Sequence, residues 1–262
     1  MMKMTRLFAA GFSMSLRRTL AFRTNLFFDI ALAVVGVLSA LATVLLVFTR
    51  TDTLAGWTRP EMFVLVGTFQ LLTGVKATFI DPNLARFPGR GIREGALDTY
   101  LLQPAPSLFL ASFATAAPLA MVQILLGLGV VVLGAVTHER PPSLFGVAAW
   151  LLLVVVGAAI AWTLGVLLAC LAFWAPRLEL DVFYGAAWQL ARYPVDIYRR
   201  PLRLLLTYVL PLALVATLPA SALLREPSPA VVLASAGAGA IAVLLATGIW
   251  RLGLRRYTGA TS

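Results

Sequence analysis

The sequence predicts an all-α integral membrane protein with six transmembrane helices and both termini in the cytoplasm. Apolar residues make up 60% of the 262 residues and charged residues only 12%, roughly half the charged share of a soluble domain. Apolar runs long enough to cross a bilayer recur along the whole chain. The basic residues gather in the segments that flank these runs, as the positive-inside rule describes.

The composition also excludes several functions. His138 is the single histidine and Cys170 the single cysteine, so we expect no His-rich metal site and no internal disulfide. The net charge of +10 belongs to the flanks of apolar runs rather than to a soluble domain, and we therefore expect no nucleic-acid binding.

Residues 1–25 carry five basic residues and no acid, and Phe8, Phe12, Leu16 and Leu20 recur every four residues. This pattern predicts an amphipathic helix on the cytoplasmic surface of the membrane, where anionic lipid attracts the cations. The alternative is a solvated, positively charged flank of the first span.

The whole chain is predicted to form one transmembrane domain. Hydropathy places spans at about residues 26–48, 61–80, 108–136, 144–174 and 230–250. Pro118 should kink the third span. The fourth span contains Gly146, Gly157 and Gly165, small residues that permit close helix packing.

The fifth span is ambiguous. Hydropathy alone favours residues 204–224, which would leave sixteen basic residues on the cytoplasmic side and four outside. Without the ambiguous segment the count is eleven to four, so the orientation with both ends inside does not depend on this choice.

Residues 81–106 form the longest polar interruption that clearly separates two spans. Their prolines and glycines predict a loop over residues 81–91. Residues 92–103 predict a short helix outside the bilayer, with Leu97 and Leu101 on an apolar face and Glu94 and Asp98 on the opposite face. Such a helix could rest on lipid or bind a protein partner.

The chain lacks the motifs of the common enzyme classes. It has no phosphate-binding loop of the Walker type, no nucleophile elbow and no zinc-protease motif. The acidic residues near the spans lie at their ends rather than near the midplane, which disfavours a proton-coupled transporter. A membrane pore driven by another protein remains, and the alternative is an ATPase-independent channel or membrane scaffold.

Four stretches resemble one known family. They are residues 51–57, residues 91–104 with Glu94-Gly95, Leu97-Asp98 and Leu101-Leu102, residues 192–211, and residues 216–220. In this order and spacing they resemble the permeases of ABC-2 type transporters, and more narrowly a bacterial branch long listed as a domain of unknown function.

The resemblance implies a permease subunit without enzymatic activity or a cofactor of its own. ATP and Mg²⁺ would be bound by a separate ABC ATPase. In this family the loop between spans two and three carries the coupling helix that docks on the ATPase. That role maps onto residues 92–103, and the expected contacts are Arg93, Glu94, Leu97, Asp98, Leu101 and Leu102.

The resemblance also implies a different layout near the fifth span. Residues 178–194 would cross the membrane, and residues 201–224 would form a re-entrant helical pair on the outer side. The expected outer gate contains four prolines, Pro194, Pro201, Pro211 and Pro219. This layout places Arg199, Arg200 and Arg203 outside, against the positive-inside rule.

A second permease subunit is expected as a partner, with a heterodimer favoured over a homodimer. The candidates to line a pathway at the dimer interface are Gln70, Thr73, Gln189 and Tyr193, because lipid rejects such polar groups. The alternative is that they bond to neighbouring helices of the same protomer. The resemblance implies export of an amphipathic or cationic drug-like molecule across a bacterial inner membrane.

Overall fold

Helices build the part of the chain that the computed structural model describes, which is residues 2–21, 23–175 and 181–257. Within these residues there is no β-strand, and a single isolated bridge pairs Leu54 with Trp57. The predicted all-α integral membrane class is confirmed.

Five of the described helices are long and apolar enough to cross a membrane. They are α2 (Arg23–Val47), α3 (Arg59–Arg93), α6 (Met121–Thr137, with a 3₁₀ turn at Pro118–Ala120 before it), α7 (Leu144–Leu171) and α11 (Pro229–Leu254). The shorter helices are α1 (Met2–Ala21), α4 (Ala96–Leu101), α5 (Ser107–Phe113), α8 (Asp181–Leu190), α9 (Arg200–Leu204) and α10 (Thr217–Arg225). The protein is therefore a multi-pass membrane protein.

Helix α3 forms the centre of the bundle. Most of its membrane-spanning window is buried, whereas the corresponding windows of α2, α6 and α11 are mostly exposed. Its 35 residues exceed the ~20 needed to cross a bilayer. We name the two ends of the molecule after the residues next to α3: the Trp57 end, where α3 begins, and the Gly95 end, where it finishes.

Glycines bring α3 and α6 into backbone contact. An added Cβ on Gly127 of α6 would lie 2.4 Å from the Leu71 nitrogen and 2.7 Å from the Gly67 oxygen of α3. Seven residues further along α6, about two helical turns, an added Cβ on Gly134 would lie 2.7 Å from the Pro60 oxygen. Small residues at these positions allow the close approach that stabilises helix pairs in a membrane.

The expected loop at residues 81–91 is helical instead. Hydrogen bonding in α3 changes from α-type to π-type at Lys76–Ala85 and again at Phe87–Arg93. A π-type segment can accommodate the missing N–H of Pro82, and buried Phe87 packs at 5.1 Å from the ring of Trp250. The second span therefore continues well beyond residue 80.

The predicted third span, residues 108–136, is interrupted rather than kinked. Helix α5 ends at Phe113, and helical structure resumes at Pro118. Residues of α3 supply hydrogen bonds to the backbone between these two helices. Asn83 bonds to Thr115, and the Ala117 nitrogen donates to the Thr78 oxygen at 2.9 Å. Proline cannot donate a backbone hydrogen bond, and these partners satisfy part of the backbone that the break leaves open.

The close packing expected for the fourth span is present. Added Cβ atoms would lie 2.9 Å from the Leu223 oxygen at Gly146, 3.0 Å from the Leu214 oxygen at Gly157, and 3.0 Å from Ile80 at Gly165. Helix α7 thus lies directly against α10 at the Trp57 end and against α3 at the Gly95 end.

The N-terminal segment expected at residues 1–25 forms α1, which is followed by α2 from Arg23. Phe8 and Phe12 of α1 pack against Phe79 at ring separations of 5.9 and 6.4 Å. The apolar face of α1 therefore contacts the bundle near the Gly95 end. Residues 1 and 22 lie outside the described residues.

The predicted fifth span, residues 178–194, is described only from residue 181 onward, because residues 176–180 lie outside the described part. Within residues 204–224 no continuous helix forms. A π turn ends at Val209, a 3₁₀ turn covers Leu212–Leu214 and α10 begins at Thr217. Pro211 follows the first break, as expected for a residue that cannot continue a helix.

Candidate functional site

A polar segment with exposed side chains lies at the Gly95 end, where α3 turns into α4. Arg93, Glu94, Leu101 and Leu102 are exposed. Gly95 has a φ of 75°, a conformation that glycine adopts without the penalty of a Cβ. The chain therefore reverses directly after α3 and presents α4 beyond the end of the bundle.

The helix in this segment is shorter than predicted. Residues 92–103 were expected to form one helix, but α4 covers only Ala96–Leu101, and residues before Gly95 belong to α3. Leu97, expected on the partner-facing surface, is fully buried in the core. It anchors α4 to the bundle, whereas Arg93, Glu94, Leu101 and Leu102 remain exposed.

A cleft of about 460 Å³ opens between α2, α3 and the start of α6. Gln70 lines it, as expected for a pathway residue, and its Oε1 accepts a hydrogen bond from Gln123 Nε2 at 3.2 Å. Asp29 of α2 lines the same cleft and is exposed. Asp29 and Gln123 lie on different helices, and the fold brings them to one surface.

The other three pathway candidates lie elsewhere. Thr73 accepts a hydrogen bond from Trp188 Nε1 at 2.9 Å and donates to the Phe69 oxygen at 2.8 Å. Gln189 and Tyr193 are exposed on and just after α8. No hydrogen bond among the described residues joins either of them to Gln70, so the four candidates do not form one cluster within this chain.

Lys76 forms a partly buried ion pair within α3 and reaches α8 through a cation–π contact. Lys76 Nζ lies 2.7 Å from Asp81 Oδ1 and 4.6 Å from the ring centre of Tyr184. These two charged residues are five positions apart, and the π-type hydrogen bonding of α3 places such positions on one face. Lys76 is therefore held inside the protein by a carboxylate and an aromatic ring, and does not lie at the end of a span.

Asn83 is a further structural residue that sequence analysis missed. Its Nδ2 donates to the Thr115 oxygen at 2.8 Å, and its Oδ1 accepts from the Thr115 nitrogen at 3.0 Å and from the Thr115 hydroxyl at 2.9 Å. Asn83 thus ties α3 to the interruption between α5 and α6. No sequence signal could have found this pair, because its members are 32 residues apart.

At the Trp57 end, Glu61 and Arg225 join α3 to α10. Arg225 Nε donates to Glu61 Oε1 at 2.6 Å and Nη2 donates to Oε2 at 2.9 Å. The guanidinium also lies 4.4 Å from the centre of the Trp57 ring, and it donates to the Gly56 oxygen at 2.8 Å. The hydrogen bonds that Arg225 donates to the Glu61 carboxylate raise the pKa of Arg225, so this cation stays charged.

The turn before α3 gives a physical reason for the pattern of residues 51–57. Ala55 and Gly56 both have positive φ, 51° and 80°, and Leu54 and Trp57 exchange backbone hydrogen bonds across them. This tight reversal buries Trp57, whose Nε1 donates to Asp196 Oδ2 at 3.3 Å. The segment after α8 is thereby bound to the turn before α3.

The four prolines expected at the outer gate fall in this region. Pro194 precedes a 3₁₀ turn, Pro201 lies in the first turn of α9, Pro211 lies between two short helical turns, and Pro219 lies inside α10. Pro194 and Pro219 are buried, whereas Pro201 is exposed.

Among the described residues, no group of three or more histidine, cysteine, aspartate or glutamate side chains could hold a metal ion. The arrangement consists instead of hydrogen bonds, ion pairs and an exposed segment at one end of a long central helix.

Comparison with known proteins identifies the family. The family model described as ABC-2 family transporter protein matches residues 34–261. No curated protein and no solved structure matches the chain. Because the family model covers most of the chain, the protein belongs to the ABC-2 transporter family, as a membrane component of an ABC transporter.

Proposed function

We propose that this chain is the permease subunit of an ATP-driven ABC-2 exporter in a bacterial inner membrane. A separate ABC ATPase binds ATP and Mg²⁺ and docks on the segment of residues 92–103. Family membership supports an ATPase partner in general, and the sequence contains no Walker-type loop.

One observation carries the proposal. The exposed segment around Glu94 and Leu101 is joined to α3, which runs from Arg59 to Arg93 through the centre of the bundle with a single turn residue, Arg86, in its last part. Leu97 holds the base of α4 in the core. Displacement of the segment by an ATPase is therefore transmitted to α3 and, through Glu61 and Arg225, to α10 at the Trp57 end.

We propose a layout of six crossings with the Gly95 end in the cytoplasm and α1 resting on the cytoplasmic leaflet. In this layout α8 belongs to the fifth crossing and residues 201–224 return on the outer side. The contact of Trp57 with Asp196 supports this arrangement, because it places the chain after α8 beside the turn that precedes α3.

We propose that the translocation pathway runs along α2 at an interface with a second, non-identical permease. Support comes from the exposed apolar face of α2, which includes Phe28, Leu32 and Val35, and from the cleft beside it. Asp29 and the amide pair of Gln70 and Gln123 give that cleft one negative charge among apolar walls, which suits an amphipathic cation.

Co-purification with a candidate ABC ATPase, taken from a reading frame next to that of this chain, tests the docking surface. We expect wild type to retain the ATPase and Glu94→Arg/Leu101→Asp to lose it, because both side chains are exposed on the segment. The matched control makes the same changes at exposed positions of the opposite end, Glu139→Arg/Leu144→Asp, and should retain the ATPase.

Both double variants must insert in the membrane and purify as stable protein for the comparison to count. If wild type retains no ATPase, the exporter loses its energy source. If the Glu94→Arg/Leu101→Asp variant binds the ATPase as wild type does, the docking surface lies elsewhere.

A further inference from the structure

A second and larger cavity lies at the Trp57 end. It has a volume of about 680 Å³ and is formed by the chain after α8, by α10 and by Trp57. Its charged lining consists of three arginines and one aspartate, Arg200, Arg203, Arg225 and Asp196. The cavity is separate from the cleft beside α2, with which it shares no lining residue.

The charges around this cavity do not balance. Arg203 forms an ion pair with Asp196, and Arg225 pairs with Glu61, which is not among the lining residues. The side chain of Arg200 is exposed and forms no hydrogen bond or ion pair with any residue that the structure describes. The lining therefore holds two more cations than anions, and one of the cations is free to bind a ligand.

The position of these arginines runs against the positive-inside rule. The orientation given under the proposed function puts the Trp57 end outside, on the side where arginine is depleted near spans. The Arg200 side chain has no counter-charge among the described residues, unlike Arg203 and Arg225. A ligand with a negative charge would supply it.

The rim of the cavity is apolar as well as basic. Leu204 and Tyr208 line it and are exposed, and Leu205 and Val209 beside them are also exposed. A ligand with a charged head and a hydrocarbon tail would contact both parts. Guanidinium groups bind phosphate oxygens in a bidentate manner, which suits a phosphate head in particular.

We propose that this cavity binds the phosphate headgroup of an anionic phospholipid, with its acyl chains lying along Leu204, Leu205 and Val209. Arg200 makes the charged contact, and the lipid neutralises the excess positive charge at the Trp57 end. The outer-leaflet location of this lipid rests on the proposed orientation, whereas binding itself does not.

Binding is measured on the purified full chain in a neutral detergent, without ATPase, by native mass spectrometry. The probes are dioctanoyl phosphatidylglycerol, dioctanoylglycerol, which has the same tails but no phosphate, and inorganic phosphate. The variants are Arg200→Gln and its matched control Arg199→Gln, which removes an equal charge from a neighbouring exposed residue outside the cavity lining.

We expect phosphatidylglycerol to bind wild type and Arg199→Gln alike, and Arg200→Gln to bind it about tenfold more weakly, the scale of one lost charge-assisted hydrogen bond. Dioctanoylglycerol should bind no variant measurably. Equal loss in the two variants, or equal binding by all three proteins, overturns the site. Inorganic phosphate binding as tightly as phosphatidylglycerol overturns the role of the acyl chains.

Thermal unfolding without ligand should be the same for Arg199→Gln and Arg200→Gln, because neither side chain forms a hydrogen bond or ion pair within the described structure. A loss of binding in Arg200→Gln then reflects the site and not the fold. Because the assay contains no ATPase, its failure and the failure of the exporter proposal are distinguishable.

Discussion

Substitution of Gly127 by alanine tests whether backbone contact between α3 and α6 holds the central helix in place. The added Cβ would lie 2.4 Å from the Leu71 nitrogen, and contacts under 3.0 Å are essentially never seen for real Cβ atoms. The two helices must therefore separate by roughly 0.6 Å or distort. Overpacking of this kind costs about 1–3 kcal/mol, against a gain of about 1 kcal/mol from replacing glycine by alanine in a helix.

The assay is thermal unfolding of the purified protein in detergent. We expect Gly127→Ala to unfold several degrees below wild type, because about 1 kcal/mol shifts the midpoint of a chain of this size by about 2–4 °C. The matched control is Gly129→Ala on the same helix, where an added Cβ meets nothing within 4 Å. It should be neutral or stabilising. An unfolding midpoint of Gly127→Ala at or above that of Gly129→Ala would refute the packing argument.

Three further variants test single contacts. Asn83→Leu should lower the free energy of unfolding by about 2–3 kcal/mol, because the backbone groups of Thr115 lose their partners; an unfolding midpoint equal to wild type contradicts this. Lys76→Met should destabilise the protein by about 1–3 kcal/mol, because the Asp81 carboxylate loses its counter-charge. Adding Asp81→Asn should restore part of that loss, since the amide that replaces the carboxylate carries no charge. A double variant less stable than Lys76→Met would contradict this reasoning. Arg225→Ala should speed amide hydrogen exchange in α10, measured by mass spectrometry, because the link to α3 is lost; unchanged exchange there contradicts it.

Helices α7 and α11 were predictable because their apolar runs are continuous. Helix α7 was expected at residues 144–174 and covers Leu144–Leu171, and α11 was expected at residues 230–250 and covers Pro229–Leu254. In such runs the thickness of the bilayer core fixes the length that the sequence must show. No knowledge of the neighbouring helices is needed.

The extension of α3 was not predictable by local rules. Pro82 and several glycines in residues 81–91 are ordinary signals for a loop, yet this stretch is helical. Tertiary packing outweighs the local preference, since Phe87 lies between Phe173 and Trp250, at 5.8 and 5.1 Å. A sequence alone does not reveal that such partners are within reach.

Local sequence rules predict the candidate site only in part, because they do not show which side chains pack together. The exposed charges Arg93 and Glu94 follow from local amphipathicity and polarity. The burial of Leu97 does not, because it depends on where α5 lies beside α4. Likewise, the polarity of Gln70 marked it as a buried residue, but its partner Gln123 is identified only by the packing of α3 on α6.

Site-directed crosslinking tests the docking of an ATPase on residues 92–103 most directly. Leu102 at the Gly95 end and Leu144 at the Trp57 end are each 88% exposed, so Leu102→Cys and Leu144→Cys offer equally accessible thiols. The native Cys170 is buried within α7, so a crosslinking reagent should not reach it. With the neighbouring ATPase present in membranes, we expect a crosslink from Leu102→Cys and none from Leu144→Cys. A crosslink from Leu144→Cys alone, or from neither, would contradict the account.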